Sequence, residues 1–310
     1  MSRASAALLR ELRAAVGAGA VLEDPGSLLA YESDALTLFR CQPSAVVLPT
    51  SAEQVQACVR ALQRAGVPFT ARGAGTGLSG GALVPAGGVV IAMARMNRIL
   101  SLDAGRRVAH VQPGVVNADL SRAAAPHGLR YAPDPASQSV STLGGNIAEN
   151  AGGPMCFLHG TTGPHVHALE VVLADGRLQH WGSTTAAAEA LDLRGFCVGS
   201  EGTVGIVVSA TLRLIPLPEK VVTLLAAFDS IGTACEAVSA IVASGLRPVA
   251  LEVMDQRAIR AVESSNYRSG LPLDAGAVLI VEMEGPAARV PAEAGEAERL
   301  LRAHAPLRVE

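Results

Sequence analysis

Residues 72–81 read Arg72-Gly73-Ala74-Gly75-Thr76-Gly77-Leu78-Ser79-Gly80-Gly81, directly after Val67-Pro68-Phe69-Thr70, a stretch with strand character. Glycine has no Cβ and accepts positive φ, so a loop this dense in glycine lets backbone N–H groups close around a pyrophosphate. The Gly-Lys-Ser/Thr ending of a nucleoside-triphosphate loop is missing. So is the strict G-x-G-x-x-G leading into a helix that marks a Rossmann dinucleotide fold. On its own the run serves equally well as a tight structural turn.

A second polar, glycine-containing stretch is Ala132-Pro133-Asp134-Pro135-Ala136-Ser137-Gln138-Ser139-Val140-Ser141-Thr142-Leu143-Gly144-Gly145-Asn146, continuing into Ile147-Ala148-Glu149-Asn150-Ala151-Gly152-Gly153. Asn, Ser and Thr set between glycines place donors and acceptors against something flat and polar, such as a flavin or its ribityl chain. The plainer reading is a Gly/Asn turn with a helix cap, although such a loop is costly to order without a ligand. A third stretch, Gly199-Ser200-Glu201-Gly202-Thr203-Val204-Gly205-Ile206-Val207, either caps a helical turn or presents backbone to a cofactor. His165 and His167, read as a strand pair, would point both rings to one face as a metal site requires, but no clear third ligand stands nearby. No metal is expected. Cys41, Cys58, Cys156, Cys197 and Cys235 are odd in number and widely spread, with no spacing that suits zinc, an iron-sulfur cluster or a disulfide framework.

The elements that must carry these stretches are legible in outline. Ser51 is placed to N-cap a helix with Gln54 at the reciprocal capping-box position and Val55, Val59 and Leu62 as its apolar stripe, ending at Gly66. Short strands are expected at 89–93, 99–102 and 108–111, a helix at 117–125, a hairpin turning on Asp175-Gly176 between 169–173 and 178–181, and a strand over 204–214. Beyond Pro218 the pattern becomes strand (221–228), helix (231–244), strand (249–254), helix from Asp255, strand (278–283) and helix (292–304). At 310 residues, against a prior of ~100 to 200 per domain, two domains are expected. A hydrophobic share of 49% and a charged share of 17% describe a globular chain, and a net charge of -3 without basic runs argues against nucleic acid. Residues 1–12 read as an amphipathic helix. Gly, Pro or a charge interrupts every apolar run before the ~20 residues a membrane span needs, so a soluble, cytoplasmic protein is expected.

Taken together and in this order, the stretches resemble the FAD-linked oxidases of the vanillyl-alcohol oxidase and p-cresol methylhydroxylase type. The resemblance is strongest to the FAD subunit of glycolate oxidase and to the D-lactate and D-2-hydroxyglutarate dehydrogenases. It is carried by R-G-A-G-T-G-L-S-G-G (72–81), M-A-R-M-N-R-I-L (93–100), V-Q-P-G-V (111–115), Y-A-P-D-P (131–135), G-G-N-I-A-E-N-A-G-G (144–153), L-E-V-V-L-A-D-G (169–176), G-S-E-G-T-V-G-I (199–206) and L-E-V-M-D (251–255).

The resemblance implies an α+β fold: an N-terminal helical segment (1–40), a vanillyl-alcohol-oxidase-type (p-cresol methylhydroxylase-type) FAD-binding domain (41–218), and a partial α/β substrate or cap domain (219–310). It implies that FAD is held by Arg72, Gly73, Ala74, Gly75, Thr76, Gly77, Ser79, Gly80, Pro133, Asp134, Ser141, Thr142, Gly144, Gly145, Asn146, Glu201, Gly202 and Ile206. Some relatives attach FAD through a histidine in the glycine loop. Thr76 and Gly77 stand in that neighbourhood here, so the attachment is expected to be non-covalent.

The implied activity is oxidation of a small 2-hydroxy acid of the glycolate or D-lactate type by hydride transfer to flavin. A second FAD-type subunit and an iron-sulfur subunit would be its partners. The family often has Tyr-Gly where this chain has His159-Gly160, and a lone histidine is more often a hydrogen-bonded structural residue. The family's H-x-G-D-G-N-x-H and G-E-H-G-[IV]-G segments have no counterpart in the sequence, so its catalytic residues are not assigned. Two rival readings remain at this point: an FAD-binding protein without independent catalysis, and a nicotinamide-dependent reductase on the same FAD domain, which L-E-V-M-D disfavours.

Overall fold

The computed structural model describes residues 4–183 and 191–310, which divide into two compact units, Met1–Gly153 with Thr161–Pro216, and Pro154–Gly160 with Leu217–Glu310. The first unit opens with helix α1 (Ala6–Val16), where the Ser5 hydroxyl accepts the Leu8 N–H at 3.2 Å and Leu8 and Leu12 are buried. The helix expected over 1–12 thus starts later, and Met1, Ser2 and Arg3 lie outside the described residues. Strand β1 (Val21–Leu22), the short α2 (Pro25–Leu29), β2 (Ala45–Val47), α3 (Ala52–Arg64), β3 (Phe69–Arg72) and β4 (Val89–Ala92) follow.

These strands form a sheet in the order β1-β2-β4-β3, with β4 parallel to both β2 and β3. Ala45, Val47, Val89 and Ile91 are fully buried against the apolar stripe of α3, which includes Val55, Val59 and Leu62, and against Leu8 and Leu12 of α1. Ser51 caps α3 through the Gln54 N–H at 3.4 Å, but Gln54 does not return the bond to Ser51. Its side-chain oxygen accepts the Thr50 N–H at 2.7 Å, one residue farther out than a capping box requires. The helix closes with Gly66 N–H on the Gln63 carbonyl and Val67 N–H on the Leu62 carbonyl, both at 3.0 Å. That paired closure delivers the chain straight into β3 and the glycine loop.

A second, antiparallel sheet has the order β5-β6-β10-β8-β9 and is built from β5 (Ile99–Asp103), β6 (Val108–Val111), β8 (Val166–Val172), β9 (Leu178–Gly182) and β10 (Ile206–Arg213). Between β6 and β8 run α4 (Asn117–Ala124), β7 (Leu129–Arg130), α5 (Leu143–Glu149) and α6 (Cys156–His159); α7 (Leu193–Cys197) lies between β9 and β10, and β11 (Ile215–Pro216) pairs with β7. Leu143 and Ile147 of α5 and Leu120 of α4 pack on Val111, Leu169, Val171 and Leu212, one apolar face of this sheet. The β8–β9 hairpin turns as expected at Asp175-Gly176, closed by Leu173 N–H on the Arg177 carbonyl at 2.9 Å.

The second unit is an antiparallel sheet, β13-β14-β12-β15, made from β12 (Lys220–Phe228), β13 (Ala250–Asp255), β14 (Ala277–Gly285) and β15 (Arg308–Val309). Helices α8 (Ile231–Ala243) and α10 (Val290–Ala303) bury Ala234, Ala237, Ile241, Ala297 and Leu301 against Phe228, Leu279, Val281 and Met283. Helix α9 (Gln256–Ser264), N-capped by Asp255, buries Ile259 with Ala227 and Val278. Among the described residues no helix is long and apolar enough to cross a membrane.

Candidate cofactor site

Helix α5 explains why three distant glycine-rich stretches meet. At its start, the Val111–Val115 turn straps onto it: Gly144 N–H bonds the Pro113 carbonyl at 2.8 Å, Leu143 N–H the Val115 carbonyl at 2.8 Å, and Asn117 N–H the Ser141 carbonyl at 2.9 Å. At its end, carbonyls of the last turn accept Gly199 N–H (Ile147, 2.9 Å) and Glu201 N–H (Ala148, 2.9 Å). The third stretch is thereby docked on the last turn of α5, with Glu201 held in left-handed backbone at φ 53. The glycine loop lies against the first turn, since a Cβ at Gly73 would overlap the Thr142 hydroxyl.

Between these pieces, wholly within the first unit, lies a cavity of about 360 Å³. Of the residues proposed from the sequence, Arg72, Gly73, Ala74, Gly75, Thr76, Gly77, Ser141, Thr142, Gly144, Gly145, Asn146, Glu201, Gly202 and Ile206 line it. Ser79, Gly80, Pro133 and Asp134 do not. Ser79 is exposed, and the Gly80 N–H is used by the Asp34 carboxylate at 2.9 Å. Pro133 gives its carbonyl to Asn117 Nδ2 at 3.1 Å, and Asp134 is buried with its backbone pressed against Gly153.

Arg72 faces the cavity but is anchored beneath the loop. It is 7% exposed, donates to the carbonyls of Ala82 (3.3 Å) and Ala30 (3.5 Å), and stacks over the Tyr31 ring at 5.6 Å. Burial lowers its pKa while Tyr31 and Asp34 work the other way. Gly75, at φ 72, curls around this guanidinium where any Cβ would collide with it, so only glycine fits there.

The cavity wall carries buried polar atoms without a protein partner: Ser141 Oγ, Thr142 Oγ1 and Asn146 Nδ2, on residues 3%, 6% and 3% exposed. Thr142 is the N-cap residue of α5, where a threonine hydroxyl normally accepts a helix N–H, yet it makes no capping bond. Unmet buried groups of this kind cost about 1–3 kcal/mol each, so their clustering on one cavity wall marks a surface made for a polar ligand. A flavin dinucleotide offers the donors and acceptors these groups lack, and the residues fit it.

Sequence reading missed several lining residues. Pro113, Ser137 and Glu149 lay within quoted stretches (111–115, 132–146 and 144–153) and could have been found there; Cys197 carried no signal that set it apart. Burial pushes the Cys197 thiol up to about 11, so it forms a neutral wall. Glu149 sits near Glu201, and burial, then the Glu201 charge, raise its pKa.

A carboxyl whose folded pKa is raised contributes stability below the usual carboxylate range and loses it as pH rises through the folded value. Glu149→Gln is therefore expected to raise the melting temperature of the cofactor-free protein at about pH 8 and to leave it unchanged at about pH 3.5. Thermal melts across pH measure this, and an equal effect at both ends would contradict the repulsion.

The histidines fall elsewhere. His165 is not on a strand. It ends the 3-10 turn Gly163–His165, buried edge-on to Tyr131 at 6.1 Å, whereas His167 lies on β8 and is half-buried. Burial lowers the His167 pKa, with Arg213 and Arg194 adding to the effect. The turn breaks the period of two that would have aligned the rings, and among the described residues no three His, Cys, Asp or Glu side chains gather as metal ligands. His159, in the second unit, has its Nε2 2.7 Å from the buried Glu284 carboxylate.

The fold and cavity define a flavin-dinucleotide-binding protein with an α+β scaffold. Residues 43–182 match the FAD binding domain family and residues 217–308 match the FAD linked oxidases, C-terminal domain, so the chain carries an FAD-binding domain followed by a stretch of the FAD-linked oxidase C-terminal type. It is 43% identical over 278 residues to the glycolate oxidase subunit GlcD of Escherichia coli K12 (90% of this chain, 56% of that one). It is 34% identical over 262 residues to a D-lactate dehydrogenase of Anaerostipes hadrus (82% and 55%). The solved structure of p-cresol methylhydroxylase with substrate bound superposes with a TM-score of 0.83 at 18% identity, covering 98% of this chain and 65% of that one. The fold is thus the vanillyl-alcohol-oxidase type, and the chain spans about half the length of the curated relatives it matches.

Proposed function

We propose that the cavity around α5 binds FAD non-covalently and that the chain serves oxidation of a small 2-hydroxy acid of the glycolate or D-lactate type. The observation that carries the cofactor assignment is the set of partnerless buried groups, Ser141 Oγ, Thr142 Oγ1 and Asn146 Nδ2, on a wall faced by the glycine loop. In this reading Gly73, Ala74, Gly75, Thr76 and Gly77 bring backbone N–H groups to the pyrophosphate, and Arg72 supplies positive charge from beneath. Ser141, Thr142 and Asn146 orient the cofactor by hydrogen bonds, with Gly144, Gly145, Glu201, Gly202 and Ile206 completing the walls. Ser79, Gly80, Pro133 and Asp134 act from outside the cavity, by holding the segments that line it. Residues 41–218 form the FAD-binding domain and 219–310 part of a substrate domain, with 1–40 as an N-terminal helical segment.

Bound FAD would accept the hydride from the substrate α-carbon. Among the described residues no histidine lines the cavity, and Thr76 and Gly77 stand in the glycine loop. The 2-hydroxy acid assignment rests on the names of the relatives, a glycolate oxidase subunit and a D-lactate dehydrogenase. A second FAD-type subunit and an iron-sulfur subunit are the partners proposed with it, in the cytoplasm. The test loads the protein with FAD, removes the excess and follows the flavin absorbance under anaerobic conditions. Bleaching by glycolate or D-lactate and flavin release on acid precipitation are expected. Flavin retained after precipitation would refute the non-covalent attachment, and bleaching by NADPH alone would refute the substrate class.

A further inference from the structure

The glycine loop is held from a side the domain family does not cover. The match to the FAD binding domain begins at residue 43, but the loop's partners sit upstream, in residues 30–36. Asp34, only 6% exposed, accepts the Gly80 N–H at 2.9 Å through Oδ2 and the Leu36 N–H at 3.0 Å through Oδ1. One residue on, Ala35 N–H donates to the Gly77 carbonyl at 3.2 Å. Ala30 gives its carbonyl to Arg72 and Tyr31 its ring face, so the residue at the mouth of the loop is gripped by the same segment.

We infer that Asp34 is a positioning residue for the cofactor, holding residues 77–80 in their binding conformation without touching the ligand. Ordering backbone costs conformational entropy, and that cost weakens affinity if the ligand must do the ordering itself. Asp34 spans both ends of this problem. One carboxylate oxygen closes its own turn at Leu36, and the other reaches across 46 positions to Gly80. Its charge also favours the charged form of the buried Arg72 guanidinium, around which the loop curls.

This inference rests on reading the cavity as the FAD site, and the experiment separates the two. Asp34→Ala and Asp34→Asn are compared with the parent in the full chain by three measurements: FAD dissociation constant from flavin fluorescence, melting temperature without cofactor, and amide hydrogen exchange at 77–81 without cofactor. Asp34→Ala is expected to weaken FAD binding about 10- to 100-fold and to speed exchange in the loop while exchange in β4 stays slow. Asp34→Asn, which keeps one acceptor and the shape, is expected to fall between, and it decides the matter if the alanine variant does not fold. FAD affinity within about twofold of the parent in a folded variant, or weakened binding with unchanged loop exchange, would overturn the positioning role. If the parent itself bound no FAD, the cofactor reading would fail, and loop exchange alone would still decide whether Asp34 orders the loop.

Discussion

Gly144→Ala is expected to abolish retention of FAD while leaving a folded but weaker protein. A Cβ at this position would stand 2.5 Å from the Pro113 Cβ and 3.1 Å from the Pro113 carbonyl oxygen, so the neighbours that must yield are a proline ring and backbone. The same carbonyl accepts the Gly144 N–H, which ties the first turn of α5 to the 113 turn. Overpacking of this kind costs about 1–3 kcal/mol, but the larger consequence is geometric. Pro113, Ser141, Thr142 and Asn146 all line the cavity, and moving α5 away from residue 113 displaces them together. Gel filtration of the FAD-loaded variant, read at the flavin absorbance, gives the result directly. Cofactor co-eluting in parent-like proportion would show that the wall tolerates the shift.

Thr142→Val is expected to act with opposite signs on the free and loaded protein. The substitution keeps the branched shape and removes a buried hydroxyl that makes no capping bond and has no protein partner. In the cofactor-free protein this relieves a cost of about 1 kcal/mol or more, so the melting temperature rises. In the loaded protein it deletes a bond to the ligand, so FAD affinity falls by about tenfold, or about 1.4 kcal/mol. Paired melts with and without FAD measure both. A fall in both states would mean that the hydroxyl supports the helix instead. Most residues cannot give such a split, because their side chains serve the fold and the ligand at once.

Much of the scaffold could be read from the sequence because its signals are local. Ser51 three positions before Gln54, and Asp175-Gly176 between two apolar runs, act over a few bonds and fix α3 and the β8–β9 hairpin wherever the rest of the chain goes. The cavity-lining stretches were legible for a different reason: singly each could be a turn or a cap, and only the three together, in this order, carried the resemblance that pointed to FAD.

What escaped the sequence is what depends on long-range geometry. Nothing near Asp34 shows that it meets Gly80, and nothing in Gly80 shows that its N–H is already used. Pro133 and Asp134 sit in a conspicuous motif, but their neighbours Asn117 and Gly153 turn them inward. The paired spacing of His165 and His167 suggested a common face, and a 3-10 turn before β8 separated them. Gln54 shows the limit even of local rules, since its side chain bypassed Ser51 for Thr50.

The seven residues Pro154–Gly160 leave the first unit's sequence to join the second, so the chain passes between the units at 153, at 160 and again at 216. The His159–Glu284 bond consequently closes a span of 125 positions. Closure entropy grows with the logarithm of that span, so this contact asks more ordering of the chain than a turn of a few residues does. A fragment starting at Leu217 would hold every strand of the second unit but lack the imidazole that meets Glu284. The piece it lacks is encoded between Gly153 and Thr161, inside the stretch of chain that builds the first unit.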